Sequence, residues 1–161
     1  MSGHLYCGID PGLGGAVGFV HADGGFATVL DMPTTASPTG HRRQVDALGL
    51  ADLLEQMRPA FVLLERVGPR PGEGAVGAFS FGHGFGSIQG VLGALRLPHD
   101  FVLPAVWKRK AGIPPGASKS VSISTAKRLM PESAAHLTRV KDDGRAEALL
   151  LALQAWERRC A

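Results

Sequence analysis

The chain has 161 residues and a mass of 16.9 kDa, with 17 basic against 14 acidic side chains, a formal charge of +3 and a pI near 9.2. Hydrophobic residues make up 45% and charged ones 19%, which excludes intrinsic disorder and fits one core-forming domain over residues 1–161. The mild basicity permits nucleic acid as a partner without requiring it.

Leu5 to Ile9 is a short apolar run ending in Asp10-Pro11-Gly12, a strand followed by turn residues. Gly15 to Val20 and Phe26 to Leu30 read as two more strands, joined through the hairpin signal Asp23-Gly24-Gly25, so the chain opens on an antiparallel meander. Pro33 to Gly40 reads as a polar loop. Asp46 is placed to cap a helix over Ala47 to Arg58, with Leu50, Leu53, Leu54 and Met57 on one face. Phe61 to Leu64 is uninterruptedly apolar, the mark of a strand buried on both faces, and it stops at Glu65. The glycine-rich, aliphatic stretch Ala75 to Leu95 predicts a buried helix. A fifth strand over Phe101 to Leu103, a helical turn with Trp107, and helices over Ser118 to Met130 and Asp143 to Arg159 complete the order. Three antiparallel strands followed by parallel αβ units predict an α/β fold, a five-stranded mixed sheet flanked by helices.

Cys7 and Cys160 are too few for a secreted disulfide scaffold, so a reducing cytoplasm is the expected compartment. The first ten residues lack a signal-peptide pattern, and no apolar run approaches the ~20 residues of a membrane helix. The six histidines form no zinc-like cluster. Gly12-Leu13-Gly14-Gly15 is no dinucleotide fingerprint, because a strand follows it, and the chain contains no P-loop. An actin-like phosphate hairpin is the rival for the first 20 residues, but the chain is too short for two such domains.

Acids fall where regular structure ends: Asp10 after the first strand, Glu65 after the fourth, and Asp142, Asp143 and Glu147 at the start of the last helix. Asp143 and Glu147, at i and i+4, share a helix face beside the apolar stripe of Ala146, Leu149, Leu150 and Leu153. Each has a bland account: Asp before Pro-Gly is a common turn residue, Glu65 suits a strand-end ion pair, and Asp142 and Asp143 are good helix-start residues. Gathered together, they suit a hard divalent cation, and two such ions activate water and stabilise the leaving oxygen of a phosphodiester.

Gly8-Ile9-Asp10-Pro11-Gly12, Leu64-Glu65-Arg66-Val67, Phe79-Ser80-Phe81-Gly82, Leu103 to Lys108 and Lys141 to Leu150 together resemble RuvC-type Holliday-junction resolvases, especially the compact members of phage and prophage genomes. The resemblance implies a ribonuclease H-like fold and a Mg2+-dependent nuclease with two metals per site, Mn2+ substituting. It also implies a homodimer acting on four-way DNA. Its catalytic acids fall on Asp10, Glu65, Asp143 and Glu147, with Asp142 competing with Asp143 as a metal ligand. The last acid is Glu147 where the family more often has Asp. Arg66, Arg70, Lys108, Arg109, Lys110, Lys119, Lys127 and Arg128 are candidates for phosphate contacts, and Phe79, Phe81 and His83 for stacking on opened bases. Any one of these basic residues also suits an ordinary solvated surface, and the phenylalanines suit a core. The glycines between Gly77 and Gly93 allow close approach of a second copy. A branched-DNA binder with weak or no cleavage, and a YqgF-like nuclease acting on RNA, are the alternative functions.

Overall fold

A computed structural model describes residues 4–69 and 71–160. The elements are β1 (Leu5–Asp10), β2 (Ala16–Val20), β3 (Phe26–Asp31), β4 (Thr34–Ala36), β5 (Arg43–Val45), α1 (Ala47–Met57), β6 (Pro59–Glu65), α2 (Ala75–Ala94), β7 (His99–Val102), α3 (Pro104–Lys110), α4 (Lys119–Leu129) and α5 (Asp143–Cys160). The main sheet has the order β3-β2-β1-β6-β7. Within it β1 runs antiparallel to β2 and parallel to β6, and β6 runs parallel to β7. The mixed five-stranded sheet expected from the sequence is therefore present.

The apolar run of β6 explains its central place. Phe61 and Leu63 face a core built with α3, α4 and α5, while Val62 and Leu64 face a second core built with α1 and α2. A strand buried on both faces has no need of the polar alternation that a one-sided sheet shows. Asp46 caps α1 as expected, its carboxylate accepting from the Gly49 N–H at 3.1 Å. The helix ends where Arg58 takes a left-handed conformation, with φ of 48°.

Close approach of α5 to the sheet depends on Gly8 and Gly18. A Cβ on Gly8 would stand 2.2 Å from both the Ala148 carbonyl oxygen and the Ala152 amide, and one on Gly18 would stand 2.8 Å from Ala148. The small residues on both partners let the helix backbone rest on the strands. Its first turn is tied at the side by Arg145, whose guanidinium donates to both Asp31 oxygens at 2.6 and 2.9 Å.

Two expectations are corrected. The expected loop Pro33 to Gly40 contains β4, which pairs with β5 in a small antiparallel hairpin where Thr34 opposes Val45. Three-residue strands are too short for alternation to reveal. The expected buried helix is α2, but only Gly84, Ile88, Val91 and Leu92 on it are buried. Its glycines carry no side chain to hide, so most of the helix faces solvent. Val76 and Phe79 are 63% and 77% exposed.

Candidate metal centre

The strand register sets two of the acids. Ile9 lies beside Leu64 in the parallel β1–β6 pair, so Asp10 and Glu65 are the next residues out along neighbouring strands. Ile9 and Leu64 belong to the α1/α2 core, and side chains alternate along a strand, so both carboxylates turn toward α5. There they meet Glu147, one turn inside α5. One oxygen from each of Asp10, Glu65 and Glu147 lies within 4.8 Å of the others. Gly144 makes room for this meeting: a Cβ there would stand 2.5 Å from the Gly14 carbonyl oxygen and 3.3 Å from Asp10 Oδ2.

Three neighbours hold the cluster. Trp107 is fully buried, and its indole N–H donates to Glu65 Oε1 at 2.8 Å. The Gln154 side-chain amide donates to the Trp107 carbonyl at 2.8 Å and fixes that part of α3 against α5. Ser122 Oγ donates to Glu147 Oε1 at 3.0 Å, and Lys108 Nζ reaches the same oxygen at 3.0 Å. That ammonium also sits over the Trp107 ring.

Burial and crowding dominate the electrostatics. Burial, then the charges of Glu65, Glu147 and Asp143, push the Asp10 carboxyl up to about 8, with Lys108 acting the other way. Burial also raises Glu65, opposed by the Trp107 hydrogen bond, while Glu147 raises it and Lys108 lowers it. A group of carboxylates that repel one another out of water is stable when a cation joins them. All three donors are hard oxygens, the set that suits Mg2+ or Mn2+, so the residues present fit such an ion.

The two competing acids separate clearly. Asp142 is 1% exposed, and both its oxygens are taken by Arg139: the backbone N–H at 2.7 Å, Nε at 2.8 Å and a terminal nitrogen at 2.6 Å. Burial alone would raise its carboxyl, but the bonds and charge of Arg139, with Arg145, hold it below the usual range. Asp142 closes the short 3-10 turn before α5, with its carboxylate on Arg139 and outside the group formed by Asp10, Glu65 and Glu147. Asp143 lies outside the 4.8 Å group, yet its charge acts on Asp10, and its Oδ2 is paired with Lys119 Nζ at 2.9 Å.

No family model matches the chain, and no curated protein matches it in sequence. Solved structures do. The RuvC of T. thermophilus in complex with a Holliday junction substrate superposes at a TM-score of 0.62, covering 97% of this chain and 95% of that one at 17% identity. The fold is that of RuvC. A second Thermus thermophilus RuvC structure superposes at 0.57, over 96% and 95% of the two chains, also at 17% identity.

On this RuvC fold the expected nucleic-acid contacts do not form one patch. Arg66 is exposed immediately after Glu65, Lys108 and Lys119 sit on the carboxylates, and Arg109 is exposed on α3. Lys110 is paired with Glu157 at 2.7 Å, ten positions along α5 from Glu147 and therefore about 15 Å away. Lys127 and Arg128 lie at the far end of α4. Arg70 lies outside the described residues. Phe79 and His83 stack on one another on the outer face of α2, with ring centroids 6.5 Å apart, while Phe81 turns to the opposite side. Sequence reasoning missed Trp107 and Ser122 as partners of the acids. A buried indole N–H needs an acceptor, which was the one available signal for Trp107.

Proposed function

We propose that the protein is a Mg2+-dependent, structure-selective endodeoxyribonuclease that resolves four-way DNA junctions by hydrolysing one phosphodiester in each of two symmetry-related strands. The observation that carries this reading is the convergence of Asp10, Glu65 and Glu147 at one edge of a sheet that superposes on RuvC over nearly the whole chain. Asp10, Glu65 and Glu147, with Asp143 beside them, would hold two divalent ions. Those ions supply activation of water and neutralisation of the charge that develops on the leaving oxygen.

The chain's own groups set the geometry for that chemistry. Trp107 and Ser122 orient Glu65 and Glu147 by direct donation to one oxygen of each carboxylate. Lys108 and Lys119, already paired with Glu147 and Asp143, supply positive charge at the mouth where a phosphate would arrive. Arg66 and Arg109 extend that charge along the strand.

A homodimer suits the task, because a two-fold pair presents two sites to two strands of a junction. The outer face of α2 is the surface for it: positions 82, 86, 90 and 93 are glycines whose absent side chains leave open space, flanked by exposed Val76 and Phe79.

The deciding experiment incubates the purified protein with four-way, flap and linear DNA and with RNA–DNA hybrid, each with and without Mg2+. Metal-dependent paired nicks in the four-way junction, leaving 5′-phosphate and 3′-hydroxyl ends, are expected. Asp10→Asn abolishes cutting while junction binding persists. Wild-type cutting by that variant refutes the mechanism, junction binding without cutting by the native protein indicates a branched-DNA binder, and exclusive cutting of the hybrid points to an RNA-directed enzyme.

A further inference from the structure

At the end of the sheet remote from the carboxylates, the C-terminal ends of α1 and α2 enclose an open cleft of about 430 Å3, lined by Leu54, Glu55, Arg58, Pro59, Leu95 and Leu97. Pro59 begins β6 and Glu65 ends it, so the cleft stands about 20 Å along the strand from the metal centre. Leu54, Leu95 and Leu97 belong to the α1/α2 core and bring its apolar surface to the cleft. Glu55 and Arg58 are exposed at its rim.

The backbone at this rim is unusual. Arg58 closes α1, and exposed Arg96 lies between Leu95 and Leu97 just beyond α2, with left-handed φ angles of 48° and 53°. Every other left-handed position among the described residues is a glycine. Glycine takes that conformation without steric cost, so the chain carries strain at both helix ends where a guanidinium stands. Neither arginine, nor Glu55, enters an ion pair among the described residues. The side-chain hydrogen bond of Arg58 stays within its own helix, from Nε to the Glu55 carbonyl at 3.3 Å. Arg158, by contrast, is committed to Asp100. Two uncommitted guanidiniums against one carboxylate leave the rim positive.

We propose that this cleft docks a short acidic peptide of a partner protein, with one large apolar side chain seated on the leucines and carboxylates on Arg58 and Arg96. The volume lies within the ~300–1,000 Å3 range of ligand clefts. The mixed lining selects the occupant. A nucleic-acid backbone leaves the leucines uncovered and meets the Glu55 carboxylate, whereas a purely apolar segment makes no use of the two guanidiniums. An acidic peptide with an apolar anchor satisfies both, since arginine binds carboxylates through paired N–H donors. The site lies at the opposite end of β6 from Glu65 and stands independently of the nuclease reading.

The test selects binders to the full-length protein from a phage-displayed library of random peptides, then titrates the enriched peptide, made with a fluorescein label, by anisotropy. Sequences that join aspartate or glutamate to leucine or phenylalanine are expected, with binding that weakens as salt is raised. Arg58→Gly with Arg96→Gly removes both guanidiniums while placing the best-suited residue at each left-handed position, so the melting temperature stays close to that of the wild type. Asparagine, which also tolerates this conformation, serves as a second pair of replacements. Either double variant loses at least about tenfold in peptide affinity, and replacing the apolar anchor of the peptide by serine does the same. A selection without the acidic and apolar pattern overturns the proposal, as does an enriched peptide that binds the double variants as tightly as the wild type. Loss of duplex-DNA binding in the double variants, with peptide binding intact, assigns the arginines to nucleic acid and also overturns it.

Discussion

Replacing Trp107 by Phe removes one hydrogen-bond donor from the metal centre while keeping an aromatic ring in the core. The indole N–H lies 2.8 Å from Glu65 Oε1, and both side chains are buried, so no water replaces the lost partner. A hydrogen bond to a charged group contributes about 1.5–3 kcal/mol. The same bond opposes the rise that burial imposes on the Glu65 carboxyl, so its loss leaves Glu65 holding a proton more tightly against an incoming cation. Both effects weaken metal binding. At 1.4 kcal/mol per factor of ten, the expected loss of Mg2+ or Mn2+ affinity is about 10- to 100-fold, in line with the loss of outer-shell partners at other metal sites. The assay is calorimetric titration of the metal-free protein, wild type against Trp107→Phe, with thermal unfolding recorded alongside. A folded variant that binds metal as tightly as wild type refutes the view that Trp107 orients Glu65.

Further outcomes follow from the same geometry. Asp143→Asn weakens metal binding measurably, whereas Asp142→Asn leaves it within about twofold, since the Asp142 oxygens are already committed to Arg139. Arg139→Ala leaves the buried Asp142 carboxylate with only Arg145, at 4.0 Å, as a charged partner and lowers stability by about 3 kcal/mol, read by chemical denaturation; an unchanged midpoint contradicts the role given to that pair. In the metal-free protein, Asp10 keeps its proton in the folded state up to about 8 but loses it near 3.8 when unfolded. The folded state binds the extra proton across that window, so stability is greatest below it and falls as pH rises, by up to about 1.4 kcal/mol per pH unit. Asp10→Asn removes the slope in melting scans, and a wild-type slope in that variant assigns the effect elsewhere. Gly8→Val drives a side chain into the α5 backbone and is expected to cost at least about 3 kcal/mol or prevent folding, whereas the same change at exposed Gly68, with open space around it, leaves the melting temperature nearly unmoved.

Local patterning determined a good deal of this protein. The unbroken apolar run Phe61 to Leu64 marked a central strand, the short apolar runs and turn residues before it marked a meander, and acids at strand and helix ends marked an edge where they meet. Those features depend on neighbours within a turn or a strand, and such neighbours are adjacent in the chain. The three-residue strands β4 and β5 escaped because they are shorter than any period, and α2 was expected to be buried because its aliphatic residues read as core while its glycines bury no side chain. Only tertiary packing showed that Asp142 is bound to Arg139 and Asp143 to Lys119, partners that the spacing of the two acids does not reveal. It alone brought Trp107 to Glu65 across 42 positions and Ser122 to Glu147 across 25. Contacts at such separations leave no periodic trace in the chain, since they are set by how closely α5 settles on Gly8 and Gly18 and how α3 and α4 close over it.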